Sequence, residues 1–491
     1  MNTTSTNTAT KVGPTILSRF AGSFWDKIPI VEKTTDGTFS EKCYTQAIYM
    51  TVLVLFTTIP LYGPDHSISP TQSPFSSSTY IFTTASEDCP MSVGIFGVLP
   101  HLTSFLFLHF LLASKVMACD MNKSEEKAAA GSFGKWMALF FTWVMGFLWI
   151  YWCQMLGPVS IITFVVILLQ LSLFTIVLIN IDELLQKGHG ISQQSSLIFL
   201  LGLNTTGKVF LDLISVKKSA GPNGIEEVWG ILWATFSMPY KRPDKIRAIW
   251  DVFYRSTGPN LWQVLVTLAL GCTVAYFNQC KSELPVMSAK ARGQSHKWPI
   301  KLLYTGNMSL VLLAVFLGNY HFFSQVIYKS FPFFPVTVLG VWNEETGVPT
   351  DGLAYYLHPP GIMQRALYDP FRAWFYLLFV VTACGLLSKT WMEVGGACAR
   401  DEAKKLRDQG LTVKGSRDTA LAGILARYVP TSAMLGGMGI GLLVVVGDIL
   451  GALGGGLGVA LGVTIAFGIY EIFAMEGMTS MQNIMQSVKN Q

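Results

Sequence analysis

Residues 158–181 read PVSIITFVVILLQLSLFTIVLINI, a run with no charged side chain. As a helix it would extend about 36 Å at ~1.5 Å per residue, enough to cross a hydrocarbon layer of about 30 Å. In lipid a lone segment can satisfy its backbone amides only by coiling into a helix, so this stretch is read as a membrane span. Working outward from it, further apolar runs lie at 44–61, 95–114, 136–156, 196–215, 259–278, 302–328, 373–391, 432–450 and 453–475. Together they predict ten spanning helices.

Composition agrees. Of 491 residues, 51% are hydrophobic and 13% charged, against about 25% charged for a soluble domain. Mean hydropathy is +0.43. A soluble protein of this length needs charge to cover its surface, so the apolar excess faces lipid. Residues 2–10 are polar and lead into no cleavable secretory signal, so the first span is expected to act as its own insertion signal. Before it, Ile16, Leu17, Phe20, Phe24 and Ile28 recur at helical spacing, which predicts a short helix on the membrane surface. The eight cysteines form no CxxC pair, so neither metal nor structural disulfide is expected.

Orientation follows from lysine and arginine. With the N-terminus in the cytosol, most of the 35 basic residues fall in cytosolic segments, and the loops after spans one, three and nine hold none. The loop after span five breaks the rule, with Lys217, Lys218, Lys241, Arg242, Lys245, Arg247 and Arg255 on the opposite side. Five spans precede that loop and five follow it. An odd number per half forces the halves into opposite orientations, as in inverted-repeat proteins.

Polar residues inside the runs are costly and face protein or water. In span five, Lys208 and Asp212 share a helix face with Asn204 and Thr205 nearby. This fits either a helix packed in a bundle or the wall of an aqueous pore. His101 and His109 in span two are read as satisfied interior histidines rather than ligands, because no carboxylate lies near them in sequence. Asp448 and Asp369 do not make an intramembrane aspartyl protease: the first glycine of GxGD is Val445, and Asp369 lies outside its span.

Two loops concentrate positive charge on the cytosolic side. Residues 279–301 hold Lys281, Lys290, Arg292, Lys297 and Lys301. Residues 395–428 hold Arg400, Lys404, Lys405, Arg407, Lys414, Arg417 and Arg427. The positive-inside rule explains the sign. Concentration on two extended loops also suits a polyanion such as RNA, held through its phosphates.

Strings along nearly the whole chain resemble a known family. They are IPLYG at 59–63, DELLQKG at 182–188, LPxxSAxxRGQ at 284–294, PIKLLYT at 299–305, SKTWMEV at 388–394, KGSRD at 414–418, RYVP at 427–430 and YEIF at 470–473. They resemble the α subunit of the Sec protein translocon, in its eukaryotic endoplasmic reticulum type. The resemblance implies an all-α membrane protein of ten transmembrane helices, in two inverted five-helix halves around a central pore. The chain divides accordingly into a cytosolic amphipathic helix (1–43), an N-terminal half (44–215) with a plug region at 64–94, and a lumenal connecting loop (216–258). A C-terminal half (259–475) follows, with cytosolic loops 279–301 and 392–430, and then a cytosolic tail (476–491).

The resemblance also implies a role for particular residues. A pore ring falls at Val98, Leu102, Ser195, Phe199, Val311 and Leu461; Ser195 departs from the aliphatic type, and Ser192, Gln193 and Gln194 replace a glycine-rich lead-in. An apolar waist excludes water and ions by dewetting yet yields to a passing chain. A lateral gate between spans two and three and spans seven and eight contains Thr103, Met145 and Asn319. Met145 stands in place of a glutamine and Phe105 in place of a small residue, so this gate is greasier than the family pattern. Lys290, Arg292 and Arg417 match ribosome-seating positions. The implied partners are the ribosome, small single-span β and γ subunits, signal sequences, nascent polypeptides and membrane lipid. No cofactor and no catalytic site are implied. The rival reading is a secondary transporter of small solutes, which would require paired charges at the midplane; Lys208 with Asp212 is the single candidate in the sequence.

Overall fold

A computed structural model describes residues 39–62, 92–116, 124–154, 160–190, 196–220, 226–241, 245–255, 258–288, 295–305, 307–330, 336–343, 347–361, 363–408, 411–413 and 421–489. Each apolar run is a helix: α1 Phe39–Thr58, α2 Leu99–Ala113, α3 Ser124–Gln154, α4 Ile161–Leu184, α5 Ser196–Ile214, α6 Leu261–Gln279, α7 Met308–Ser330, α8 Pro370–Val394, α9 Leu421–Leu450 and α10 Gly455–Lys489. Seven of them are long and apolar enough to cross a membrane unaided. The other three are α1, α2 and α5. Helix α2 has only 15 residues, but buries Leu99, Leu102, Thr103, Leu106 and His109 against its neighbours. Packing within the bundle replaces length.

Several helices outrun their apolar stretches. Helix α3 begins at Ser124, twelve residues before the hydropathy rises, because Ala129 and Ala130 find a buried face there. Helix α9 begins at Leu421, where Leu421, Leu425 and Val429 pack against Ala399, Ala403 and Leu406 of the short helix Ala399–Asp408. Helix α4 ends in one wide turn, Leu185–His189, which begins inside DELLQKG and runs one residue past it. Gly188 kinks that turn at φ 111°, in the left-handed region glycine enters without steric cost.

The bundle is centred on α7. In its apolar window 72% of residues are buried, against 17% for α6, which keeps a broad face for lipid. Helix α7 packs on α2, α3, α8, α9 and α10, while α5 packs on α10. The two basic loops are joined at one end of this bundle. Strands β1 (Lys281–Ser288) and β2 (Ser295–Lys301) form an antiparallel hairpin in register Lys281↔Lys301 to Met287↔Ser295. Strand β3 (Leu411–Val413), from the loop between α8 and α9, pairs with β1 at Val286↔Val413 and Ser288↔Leu411. The surface helix predicted over 16–28 and most of the plug region lie outside the described residues. At the plug's end, Ser92 bridges to Pro60.

Candidate functional site

Four of the expected ring residues are enclosed. Val98 is 0% exposed, Leu102 4%, Val311 1% and Leu461 0%, and all four belong to one continuous apolar cluster drawn from α2, α7, α10 and their neighbours. Met145 is in the same cluster and fully buried. Ser195 lies outside the described residues; Phe199 is in α5, but its side chain is not described. On α5, Thr205 turns its hydroxyl back to the carbonyls of Leu201 and Gly202, while the Asn204 amide nitrogen is enclosed without a protein partner. Thr205 fits a packed helix. Lys208 is exposed. Asp212 accepts a hydrogen bond from the Trp229 indole at 3.2 Å, so it serves the connecting loop.

The seam between α2 and α3 on one side and α7 and α8 on the other is held by side chains. Asn319 Nδ2 donates to Thr103 Oγ1 at 2.9 Å and to the Val315 carbonyl at 2.9 Å. The Thr103 hydroxyl lies 2.7 Å from the Leu99 carbonyl one turn back. A second clasp was not legible in the sequence: His109 Nε2 meets Thr390 Oγ1 at 3.1 Å. The Trp391 ring lies 5.3 Å from Phe105 and 5.5 Å from His109. Phe105 thus fills the seam against an aromatic partner on α8. Phe96, just before α2, adds edge contacts to Trp149 and Phe322.

The histidines of α2 point to different halves. A carboxylate missing from His101's neighbourhood in sequence is supplied by α4, where Asp182 Oδ2 lies 3.7 Å from His101 Nε2 and accepts from Gln186. At the far end of α9, Asp448 accepts from Tyr376 at 2.9 Å and from the Gly456 amide at 2.7 Å. It stitches α8, α9 and α10 together, and Asp369 instead accepts from Tyr355.

The basic face rests on the second set of helices. Lys301 pairs with Glu471 of α10 at 2.6 Å, Ser432 of α9 donates to the Lys301 carbonyl, and Tyr304 donates to the Ala397 carbonyl. On the hairpin, Lys297 pairs with Glu283 at 2.7 Å. The hydrogen bond and charge of Lys297 hold the Glu283 carboxyl below its ordinary range, and Glu283 raises Lys297 in return. Lys290, Arg292 and Arg417 lie outside the described residues. Lys290 and Arg292 are in the segment joining β1 to β2, and Arg417 follows β3.

These features define a polytopic helical membrane protein in which two sets of five helices meet at a hydrogen-bonded seam beside a dry core, with a basic sheet at one end. A family model described as SecY matches residues 92–470, and the chain belongs to that family. It is 36% identical over 449 residues to the protein transport protein Sec61 subunit alpha of Dictyostelium discoideum, covering 89% of this chain and 92% of that one. Its fold is similar to Sec61 in the canine ribosome–channel complex from the endoplasmic reticulum (TM-score 0.68, 23% identity, 92% of this chain and 96% of that one). It is also similar to the idle yeast Ssh1 complex on the yeast 80S ribosome (TM-score 0.68, 25% identity, 92% and 93%). The fold is therefore the SecY-type channel, with α1–α5 and α6–α10 as its halves.

Proposed function

We propose that this chain is the pore-forming subunit of a protein-conducting channel of the endoplasmic reticulum membrane, passing secretory polypeptides and releasing membrane helices sideways. The observation that carries the reading is membership of the SecY family over most of the chain, joined to a polar seam between the halves. The halves are residues 44–215 and 259–475, and the N-terminus lies in the cytosol. Val98, Leu102, Val311 and Leu461, with Phe199 and Ser195, form the waist. Their burial in one apolar cluster supports this role for the first four. Thr103, Asn319 and Met145 line the lateral gate. When the seam parts, an apolar signal helix exchanges its contact with the pore for lipid, while polar chain stays in the aqueous path; no covalent chemistry is needed.

Leu102→Asp and Leu461→Asp each place a charge in the waist and hydrate it. Planar-bilayer recording of the reconstituted protein is expected to show resting ion conductance in both variants and little in the wild type. Unchanged resting conductance in both removes the waist from the reading.

The basic sheet seats a ribosome through Lys290, Arg292 and Arg417, and the small β and γ subunits complete the channel. The canine and yeast structures are of ribosome-bound channels, which supports this partner. Because the sheet is tied to α9 and α10, a ribosome docked there pushes on the second half. Arg292→Glu and Arg417→Glu should each weaken ribosome binding and lower the slope of log affinity against log salt by about 0.7–0.9 for each phosphate that is no longer neutralised. Binding to ribosomes across a salt series reads both effects. Unaltered affinity in both variants leaves the charges with orientation as their single purpose.

A further inference from the structure

The connection between the halves is the one long loop that violates the positive-inside pattern, and its shape accounts for the violation. Helices Ile231–Lys241 and Lys245–Phe253 fold against each other. Ala234 and Met238 of the first face inward onto Val252 and Leu261. The opposite face of the first helix is aromatic and open: Trp233 is 52% exposed, Phe236 77% and Tyr240 92%, at positions i, i+3 and i+7. On the second helix and just beyond it, Trp250 and Tyr254 are 66% and 56% exposed, with rings 5.1 Å apart. The pair is fixed to the end of α5. The Trp229 indole donates to Asp212, the Trp233 indole to the Ile214 carbonyl, and the Gly230 amide to the Ser215 carbonyl.

Five large aromatic side chains in water would be a severe liability. At the level of lipid headgroups they are the favoured residues, because an amphipathic ring suits a boundary that is apolar on one side and wet on the other. The loop begins and ends at the termini of two spans, so it lies at that boundary by continuity. Its charge suits the same place. Lys241, Arg242, Lys245 and Arg247 cluster in sequence at and after the junction of the two helices, with Asp244 and Asp251 as the acids between and beyond them; the Lys245 side chain is exposed. Cations beside an embedded aromatic face meet lipid phosphates.

We propose that residues 229–241 and 245–254 form a foot embedded in the lipid interface on the side opposite the basic sheet, with Trp233, Phe236, Tyr240, Trp250 and Tyr254 among the headgroups and Lys245 at their phosphates. Lys245 is then a lipid ligand rather than an orientation signal, whereas Arg255 is buried and donates to the Trp229 carbonyl. As the foot lies in the covalent link between α5 and α6, it fixes that link to the bilayer. The proposal stands on the membrane fold and not on translocation.

The test places a photoreactive benzophenone amino acid at Phe236 or Tyr240 in the full chain, reconstituted in phosphatidylcholine vesicles containing a labelled phospholipid, with and without phosphatidylserine. Leu169, 65% exposed on α4, is the lipid-facing reference, and exposed Ser282 of the hairpin is the aqueous one. Lipid adducts at 236 and 240 should match the Leu169 level and exceed the Ser282 level. With phosphatidylcholine and phosphatidylserine labelled in equal amounts, adducts should favour phosphatidylserine, and Lys245→Gln should cut that preference about fivefold, the value of one basic residue at an anionic surface. Adducts at the Ser282 level overturn the foot. So do adducts to protein in native membranes, which would make this face a docking site for another subunit.

Discussion

The chief contacts between the first five spans and the last five fall on two lines, and the lines are built from different materials. Where α5 meets α10, glycine lets backbones close in. A Cβ on Gly202 would come within 2.5 Å of Ile465, one on Gly458 within 3.0 Å of Thr205, and one on Gly454 within 3.2 Å of Val209. Gly458 and Gly462 of α10 are four residues apart, the small-residue spacing that packs helices tightly in lipid, and Gly454 sits one such step earlier in the turn before the helix. Where α2 meets α7 and α8, long side chains reach across: Asn319 to Thr103, His109 to Thr390, and Phe105 to Trp391. The first line gains its energy from many close van der Waals approaches that must all break together. The second depends on a few hydrogen bonds, each with a substitute when it breaks, since Thr103 retains the Leu99 carbonyl and Asn319 the Val315 carbonyl. A joint of the first kind stays shut, and one of the second kind opens and recloses.

The largest effect is expected on the closed line. Gly458→Leu drives a branched side chain into Thr205 and should cost about 1–3 kcal/mol, the usual penalty for overpacking. Thermal unfolding in detergent reads it, and a variant as stable as wild type would mean that α5 and α10 are not held by close approach. A smaller effect is expected on the seam. Asn319→Leu removes a hydrogen bond worth ~0.6 kcal/mol on average within membranes, and up to about 1.7. It also spares the open state a polar group exposed to lipid. Both effects favour opening, so in a graded series of signal sequences less hydrophobic members should insert. Identical insertion across the series would detach Asn319 from gating.

How much of this was legible in the sequence follows from what each feature depends on. The spans were legible because lipid leaves a segment no alternative to a helix, and the runs and the helices coincide closely. The ends were not. Hydropathy stops at the membrane, whereas α3 and α9 continue into water on the strength of Ala129, Ala130, Leu421 and Leu425. The two basic loops could be read as sharing a face, but strand β3 is three residues long and gains its identity only by pairing with β1. Thr103 and Asn319 came from resemblance. His109 and Thr390 lie 281 positions apart with no pattern to link them, and Asp182 reaches His101 from another helix. The glycine spacing of α10 was in plain view, and its four-residue period was the available signal for the α5 contact.

The most direct measurement compares cross-links on the two lines in the same insertion assay. A Cβ on Gly458 would lie 3.3 Å from Thr205 Cβ, near the ~3.5–4.5 Å spacing of disulfides, so Thr205→Cys with Gly458→Cys can be oxidised directly. Thr103→Cys with Asn319→Cys can be joined by a short bis-maleimide, since the native side chains touch at 2.9 Å. The account predicts that joining 103 to 319 abolishes insertion of signal-anchor helices, and that joining 205 to 458 leaves it intact. Insertion that survives the first cross-link, or fails with the second, would contradict it.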